Sequence, residues 1–394
     1  MRTVEAAGLG IGDEHPPRIM GVLNVSKESP YDPSVFDDPG EAAAYVDQEL
    51  IDEGADIVDV GLESANKRFE VLSADEELER LDTAVETLES VSGDAVFSIE
   101  TRYHEVAAAA LDRGYDMVND ICGFADPEMP RVCAEHDVAV GKMASPPDLT
   151  RPGAVEDVDD IYDALGRNGF TDKTIVDPAF GGWSEEKTLE DDRRTFHRLR
   201  EFRGLGYPIL VSINRKNFLR SVAGRPTEAA LPVSLAATSM AVERGAHVVR
   251  THDVAETRDA ALIGKEFARG RLRRRDAGDV AVEELDVTTP REAQRHLERF
   301  GDAEAADDVA GVSATAVVRV FELDGLADAD VGAVSGAAGD AGVTVLPDDG
   351  DGSDPEGRSV LVFGTPRALS ALDSAVDGSD ALEDALGAVR SVLR

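Results

Sequence analysis

The chain has 394 residues, with 79 Asp and Glu against 40 Lys and Arg, a formal charge of −39. A surface of that sign repels phosphate backbones and anionic lipid headgroups, which argues against nucleic-acid and membrane-surface partners. No stretch reaches the ~20 apolar residues that span a bilayer, and the first residues lack the apolar core of a secretory signal, so a cytoplasmic protein is expected. Only seven of the basic residues are lysines. An acidic, lysine-poor surface suits a halophilic source, because at 1 M salt repulsion is screened within roughly 3 Å.

The predicted elements alternate from the start. Ile19 to Asn24 (IMGVLN) reads as a strand ending on an amide, and Pro39 to Gly54 as a helix with Ala43, Val46, Leu50 and Ile51 on one face. Ala55 to Gly61 (ADIVDVG) is a strand followed by Glu63, then a helix from Ala74 to Val91. Ala95 to Glu100 closes on a carboxylate and leads into a helix from Glu105 to Gly114. Tyr115 to Val118 is followed by Asn119 and Asp120. Ala139 to Met143 and Thr174 to Asp177 are the next strands, with a helix from Lys187 to Phe202. Pro208 to Lys216 ends on a lysine, Pro232 to Arg244 is helical, and Ala246 to His252 closes on Arg250-Thr251-His252. Cys122 and Cys133 lack metal-ligand spacing and read as two buried or partly buried thiols.

Eight strand–helix units before about residue 270 predict an α/β fold, the (β/α)8 TIM barrel, over residues 1–270. The carboxyl ends of its strands share one rim, so these polar residues would meet at one mouth. Arg269 to Asp279 reads as a charged linker to a C-terminal α+β domain over 280–394. That domain should hold strands at Val282–Val287, Thr315–Leu323, Val343–Leu346 and Ser359–Gly364, with helices at Pro290–Phe300 and Leu326–Ala341 and two more at the end. Asp348 to Pro355 echoes a calcium loop but lacks its closing glutamate, and reads as a solvated acidic turn.

The rim residues define a chemistry. Carboxylates low in a barrel mouth accept paired N–H groups from a flat guanidine-like heterocycle, Asn119 can donate and accept at its edge, and Lys216 can bond a ring carbonyl or nitrogen. Arg250 and His252 offer positive charge and donors to an anion such as phosphate. Asn24 offers a neutral oxygen suited to Mg²⁺ that keeps most of its water and phosphate ligands.

At these residues the chain resembles dihydropteroate synthase. The resemblance is carried by Ile19–Ser26, Gly54–Ser64, Ala107–Ile121, Val176–Gly181, Ser212–Phe218 and Gly245–Thr257, in order, across about residues 18 to 268. Gly181–Thr188 and Glu28–Phe36 look closer to archaeal members. The resemblance implies a transferase of folate biosynthesis and a homodimer. Such an enzyme joins 6-hydroxymethyl-7,8-dihydropterin diphosphate to para-aminobenzoate, or a related arylamine, and releases pyrophosphate. It implies that Glu100, Asn119, Asp177 and Lys216 hold the pterin, that Arg250 and His252 meet the diphosphate, and that Asn24 helps place Mg²⁺. Lys216, Arg250 and His252 would then carry the catalysis. Two other readings stay open: a pterin-binding paralogue without catalysis, and a methyltransferase-type pterin barrel.

Departures gather on the loops. Glu100 stands where the family has aspartate, Ser26–Asp32 reads SKESPYD where the family reads TPDSFSD, and Gly61–Lys67 reads GLESANK where it reads GGESTRP. Arg291–Gly301 and Val360–Leu369 are similar to an extra domain found at the other end of some bacterial synthases.

The charge balance makes a prediction. Raising KCl from about 0.1 M to about 2 M should raise the melting temperature, by screening self-repulsion. A melting curve indifferent to salt would contradict the reading of the acidic surface.

Overall fold

The computed structural model describes residues 1–25, 34–63, 71–278, 280–300, 309–348, 358–376 and 378–393. They form two compact units, 1–285 and 286–394.

The first unit opens with a hairpin of β1 (Val4–Ala6) and β2 (Leu9–Ile11). Eight parallel strands then close a barrel: β3 (Arg18–Asn24), β4 (Ile57–Gly61), β5 (Val96–Thr101), β6 (Met117–Asp120), β7 (Ala139–Met143), β8 (Thr174–Asp177), β9 (Ile209–Val211) and β10 (Ala246–Thr251). The expected TIM barrel is therefore present.

The hairpin has a packing role that periodicity did not show. Val4, Ala6 and Ile11 join one residue from each barrel strand in a separate apolar cluster: Met20, Ile57, Val96, Met117, Ala139, Ile175, Leu210 and Val248. The amino end of the barrel is thus plugged, and only the carboxyl rim is left for a site. The larger core lies between barrel and helices; Leu23, Val58, Ile99 and Val118 face it, with Leu50, Leu81 and Val106 from the helix layer.

Strand register brings the rim residues level. Asn24 pairs with Gly61, Gly61 with Glu100, Glu100 with Asn119 and Asn119 with Gly141. The two glycines keep that row open. A Cβ on Gly61 would lie 3.2 Å from Asn24 Oδ1, and one on Gly141 would lie 2.8 Å from Asn119 Oδ1. Here glycine marks a close approach of side chains.

Several predicted elements differ. The helix expected over Lys187–Phe202 is α-helical at Leu189–His197 and continues as a 3-10 helix over Leu199–Leu205. The helix from Pro39 is capped by Asp38 and runs as α-helix to Tyr45, then widens into a π-helix over Val46–Ile51. The strand expected over Pro208–Lys216 pairs only at Ile209–Val211, because the chain then turns through Arg215 at a φ of 52°.

The segment set aside as a linker belongs to the barrel unit. It carries the hairpin of β11 (Arg275–Ala277) and β12 (Val280–Val282), in place of the strand expected at Val282–Val287. Arg271 reaches Asp13 Oδ2 at 2.7 Å, Arg273 donates to the Asp13 carbonyl at 3.0 Å, and the amino terminus pairs with Glu283 at 2.6 Å. Asp13 also takes Arg203 at 2.7 Å and His247 Nε2 at 3.1 Å.

The second unit is an antiparallel sheet of β13 (Arg319–Leu326), β14 (Thr344–Pro347) and β15 (Arg358–Gly364), with β15 central. Leu323, Val360 and Val362 pack against Val331 and Val334, Leu372, and Leu382 and Leu386, which lie on helices Asp328–Ala341, Pro366–Ala375 and Asp380–Ser391. Pro290–Phe300 is helical as expected. The acidic turn falls mostly outside the described residues, as do Ser26–Pro33 and Ser64–Glu70 of the two substrate-side loops.

A chain ending after Gly270 should melt several degrees lower than one ending after Leu285. The shorter chain loses the partly buried ion pairs on Asp13 and on the amino terminus, together on the order of 1–3 kcal/mol. Equal melting temperatures would contradict the assignment of 271–285 to the barrel.

Candidate active site

The site begins with a charge in an apolar strand. Asp59 is the middle residue of β4 and is 0% exposed. A carboxylate buried there needs a compensating cation or donors. Arg250, one residue before the end of β10, supplies them: its Nε donates to Asp59 Oδ2 at 2.7 Å. Its other arm donates to Glu100 Oε2 at 2.6 Å, and Asn119 Nδ2 donates to the same Asp59 oxygen at 2.9 Å. One guanidinium thus ties strands β4, β5 and β10 across the barrel floor.

Above this floor lies a pocket with about 650 Å³ of space not filled by protein, its open mouth included. Its polar wall is Glu100, Asn119, Asp177, Ser212, Lys216 and Arg250. Its apolar wall includes Ile121, Met143, Phe180 and Trp183. A concave site with one apolar wall and convergent polar groups on the other suits a small ligand.

Backbone strain aims two of these groups. Ala179 adopts a φ of 59° and donates its N–H to Asp177 Oδ1 at 2.8 Å, while Lys187 Nζ holds its carbonyl at 2.7 Å. Arg215, also left-handed, is gripped by both oxygens of Asp253 at 2.8 and 2.9 Å, and its N–H donates to Ser234 Oγ at 2.8 Å. Asn214 Nδ2 reaches the same Asp253 at 2.9 Å. Left-handed non-glycine residues cost of order 1–3 kcal/mol each and persist where their surroundings hold them. Here the bend sends Lys216 into the pocket and ties its loop to the turn carrying His252.

Burial shapes the charges. It pushes the Asp177 carboxyl up to about 6, against the pull of the Ala179 N–H and Lys216. Burial also raises Glu100, opposed by Arg250 and helped by Asp59. Lys216 is lowered by burial and by Arg250 beside it. Burial lowers Arg250, but Glu100 and Asp59 outweigh it and hold the guanidinium protonated.

Five of the seven expected site residues line this pocket: Glu100, Asn119, Asp177, Lys216 and Arg250. Asn24 stands beside it, its Nδ2 donating to Ser34 Oγ at 2.9 Å and its Oδ1 facing the gap over Gly61, where Glu100 Oε1 also points. His252 lies two residues beyond Arg250 and is half-buried. Burial and the neighbouring Arg250 push it down to about 3. It is therefore neutral at pH 7 and offers a hydrogen bond where the sequence suggested a positive charge.

Asp59, Arg102 and Trp183 join the site although none of them closes an apolar run in the sequence. Asp59 had a signal, a charge inside a continuous apolar run. Arg102 is fully buried one residue past β5 and meets Glu63 Oε2 at 2.5 Å, with Trp183 packed on its guanidinium. Cys122 and Cys133 are buried free thiols. Among the described residues, no helix is long and apolar enough to cross a membrane.

Residues 20–252 match the family model described as pterin binding enzyme. The chain belongs to the dihydropteroate synthase family of pterin-binding enzymes. It is 33% identical over 242 residues to a dihydropteroate synthase of Bacillus subtilis, covering 60% of this chain and 83% of the relative. It is 36% identical over 251 residues to a probable bifunctional folylpolyglutamate synthase/dihydropteroate synthase of Haloferax volcanii, a match that spans 60% of this chain and only 29% of that longer one. A Coxiella burnetii dihydropteroate synthase solved with pteroic acid superposes with a TM-score of 0.57 at 28% identity, over 67% of this chain and 98% of that one. A Thermus thermophilus dihydropteroate synthase solved with 4-aminobenzoate gives 0.56 at 29%, over 68% and 100%.

The raised Asp177 carboxyl predicts a trade-off between stability and binding. A carboxyl raised above its unfolded value contributes its full stability below that unfolded value, and the contribution is lost progressively as pH rises through about 6. Asp177→Asn removes the buried charge and keeps an acceptor for Ala179. It should raise stability at pH 7.5 by roughly 3 kcal/mol and leave it nearly unchanged near pH 4. Destabilisation at pH 7.5 would contradict the assigned burial cost.

Proposed function

We propose that the pocket takes the dihydropterin ring, and that the protein condenses 6-hydroxymethyl-7,8-dihydropterin diphosphate with an arylamine, para-aminobenzoate in the first instance, releasing pyrophosphate. The observation that carries this reading is the convergence of two burial-strained carboxylates, Glu100 and Asp177, with Asn119 and Lys216 at one barrel mouth.

The roles follow from hydrogen-bonding capacity. Asp177 and Glu100 accept N–H groups from the amino-pyrimidine edge, Asn119 both donates and accepts, and Lys216 donates to a ring carbonyl or nitrogen. Glu100 is one methylene longer than the family's aspartate, and that reach brings it to Arg250. When the heterocycle takes over Glu100, one arm of Arg250 is released toward the diphosphate while the other stays on Asp59. Neutral His252 donates to the same anion.

Mg²⁺ fits the oxygen donors here, because Ser34 fixes the Asn24 amide so that Oδ1 faces the mouth beside Glu100. Asn24 would hold it, and the ion would supply positive charge to the leaving diphosphate. The C–O bond to the diphosphate breaks first, its electron pair leaving with pyrophosphate, while Arg250 and His252 stabilise the growing charge. The electron-rich pterin carries the positive methylene. The arylamine nitrogen then forms the C–N bond and loses a proton to solvent. No protein nucleophile is required.

A homodimer in a salt-rich cytoplasm completes the proposal, and light scattering in molar KCl tests the dimer. Purified protein with Mg²⁺ and the dihydropterin diphosphate in molar KCl should release pyrophosphate only when para-aminobenzoate is added. Folded protein that binds the diphosphate but releases nothing with any arylamine would overturn the catalytic reading in favour of a pterin-binding paralogue. Lys216→Ala should weaken binding of the dihydropterin diphosphate about 10- to 100-fold, the loss of one charge-assisted hydrogen bond in a buried site. Unchanged affinity by calorimetry would remove Lys216 from the pterin contacts.

A further inference from the structure

We infer that Arg102 is a positioning residue for the second substrate, joining the flanks of the segment after β4 to the outer wall of the pocket. This rests on the synthase reading above.

Arg102 is 0% exposed, yet it does not line the pocket. Its guanidinium has three separate partners. One arm donates to the Leu149 carbonyl at 2.7 Å, and the other to Glu63 Oε2 at 2.5 Å. Its face lies over Trp183, 5.4 Å from guanidinium carbon to ring centroid. These partners sit in the loops after β7, β4 and β8, three of the segments that surround the mouth.

Each partner leads to the substrate side. Glu63 accepts the Leu72 N–H at 3.3 Å, so it ties together residues 63 and 72. Tyr103, next to Arg102, donates to the Leu72 carbonyl at 2.6 Å. Leu149 precedes Pro152 and Gly153, which line the pocket with Trp183. Trp183 donates its N–H to the Pro152 carbonyl at 3.1 Å, and Gly182 lies so close to Gly153 that a Cβ there would meet its carbonyl oxygen at 2.2 Å. The wall is therefore a stack of two crossing loops with Arg102 behind it.

The pterin floor is held by other means. Asp59 and Arg250 fix Glu100 and Asn119, and Asp253 fixes the Lys216 loop. With the ring seated on that floor, the arylamine must reach its methylene from the mouth, past the wall that Arg102 supports. Loss of Arg102 should then act on the second substrate more than on the first. Lysine cannot replace it, because an ammonium lacks the planar fork that serves Glu63, Leu149 and the tryptophan face together.

The test uses Arg102→Lys, with Arg102→Met/Glu63→Gln as the second variant in case a lone Glu63 carboxylate prevents folding. Trp183 is the single tryptophan of the chain, so its emission reports this wall directly. The variants should show a shifted Trp183 emission and a weaker emission response to para-aminobenzoate. The KM for para-aminobenzoate should rise about tenfold, while the KM for the dihydropterin diphosphate stays within about threefold, as expected of lost orientation at one substrate. Equal rises in both KM values, in step with a lowered melting temperature, would overturn the inference and leave Arg102 a structural residue. If the wild type releases no pyrophosphate, the synthase reading fails by itself. Trp183 emission then decides the Arg102 inference: an unchanged spectrum and para-aminobenzoate response in the variants overturns it.

Discussion

A single guanidinium in the barrel floor carries the charge balance on which the site depends. Asp59, Glu100 and Asp177 put three carboxylates inside or at the base of one mouth, and Arg250 and Lys216 answer them. Removing two opposite charges from water is costly unless they meet with good geometry and further hydrogen bonds. Arg250 satisfies that condition by spanning Asp59 and Glu100 at 2.7 and 2.6 Å, with Asn119 adding a third donor. Packing of the apolar layers closes the barrel, but this interaction decides which polar groups can survive within it.

The same balance suits a ligand rich in N–H groups. Glu100 and Asp177 are raised by burial, so each gains when a planar donor replaces lost water. In the proposed cycle the heterocycle displaces one arm of Arg250 from Glu100, and the freed arm meets the diphosphate. Binding of the ring and readiness for the leaving group are then two outcomes of one exchange. The Arg102 brace works separately, farther out, on the wall the second substrate passes.

Much of this was legible in the sequence, for physical reasons. Strand ends carry function in this fold, so an amide, carboxylate or lysine closing an apolar run is informative, and Glu100, Asn119, Asp177, Lys216 and Arg250 fall on one pocket. Other features depend on tertiary contact. The plug formed by β1 and β2 is too short to show a period, and only Val4, Ala6 and Ile11 of it are buried against the barrel strands. The left-handed turn at Arg215 is set by Asp253, which lies 38 residues on. The neutral state of His252 comes from burial beside a cation that periodicity cannot place. Asp59 was visible as a charge in an apolar strand, and Arg102 became visible only when Glu63, Leu149 and Trp183 were seen around it.

The most direct measurement is a crystal structure of the protein with a bound dihydropterin and pyrophosphate in molar KCl. Exchange at Glu100 predicts ring N–H groups on Glu100 and Asp177, with the Arg250 arm moved from Glu100 to the anion and its Nε still on Asp59. A ring seated elsewhere, or an Arg250 that still bridges Asp59 and Glu100 beneath a bound ring, would contradict it.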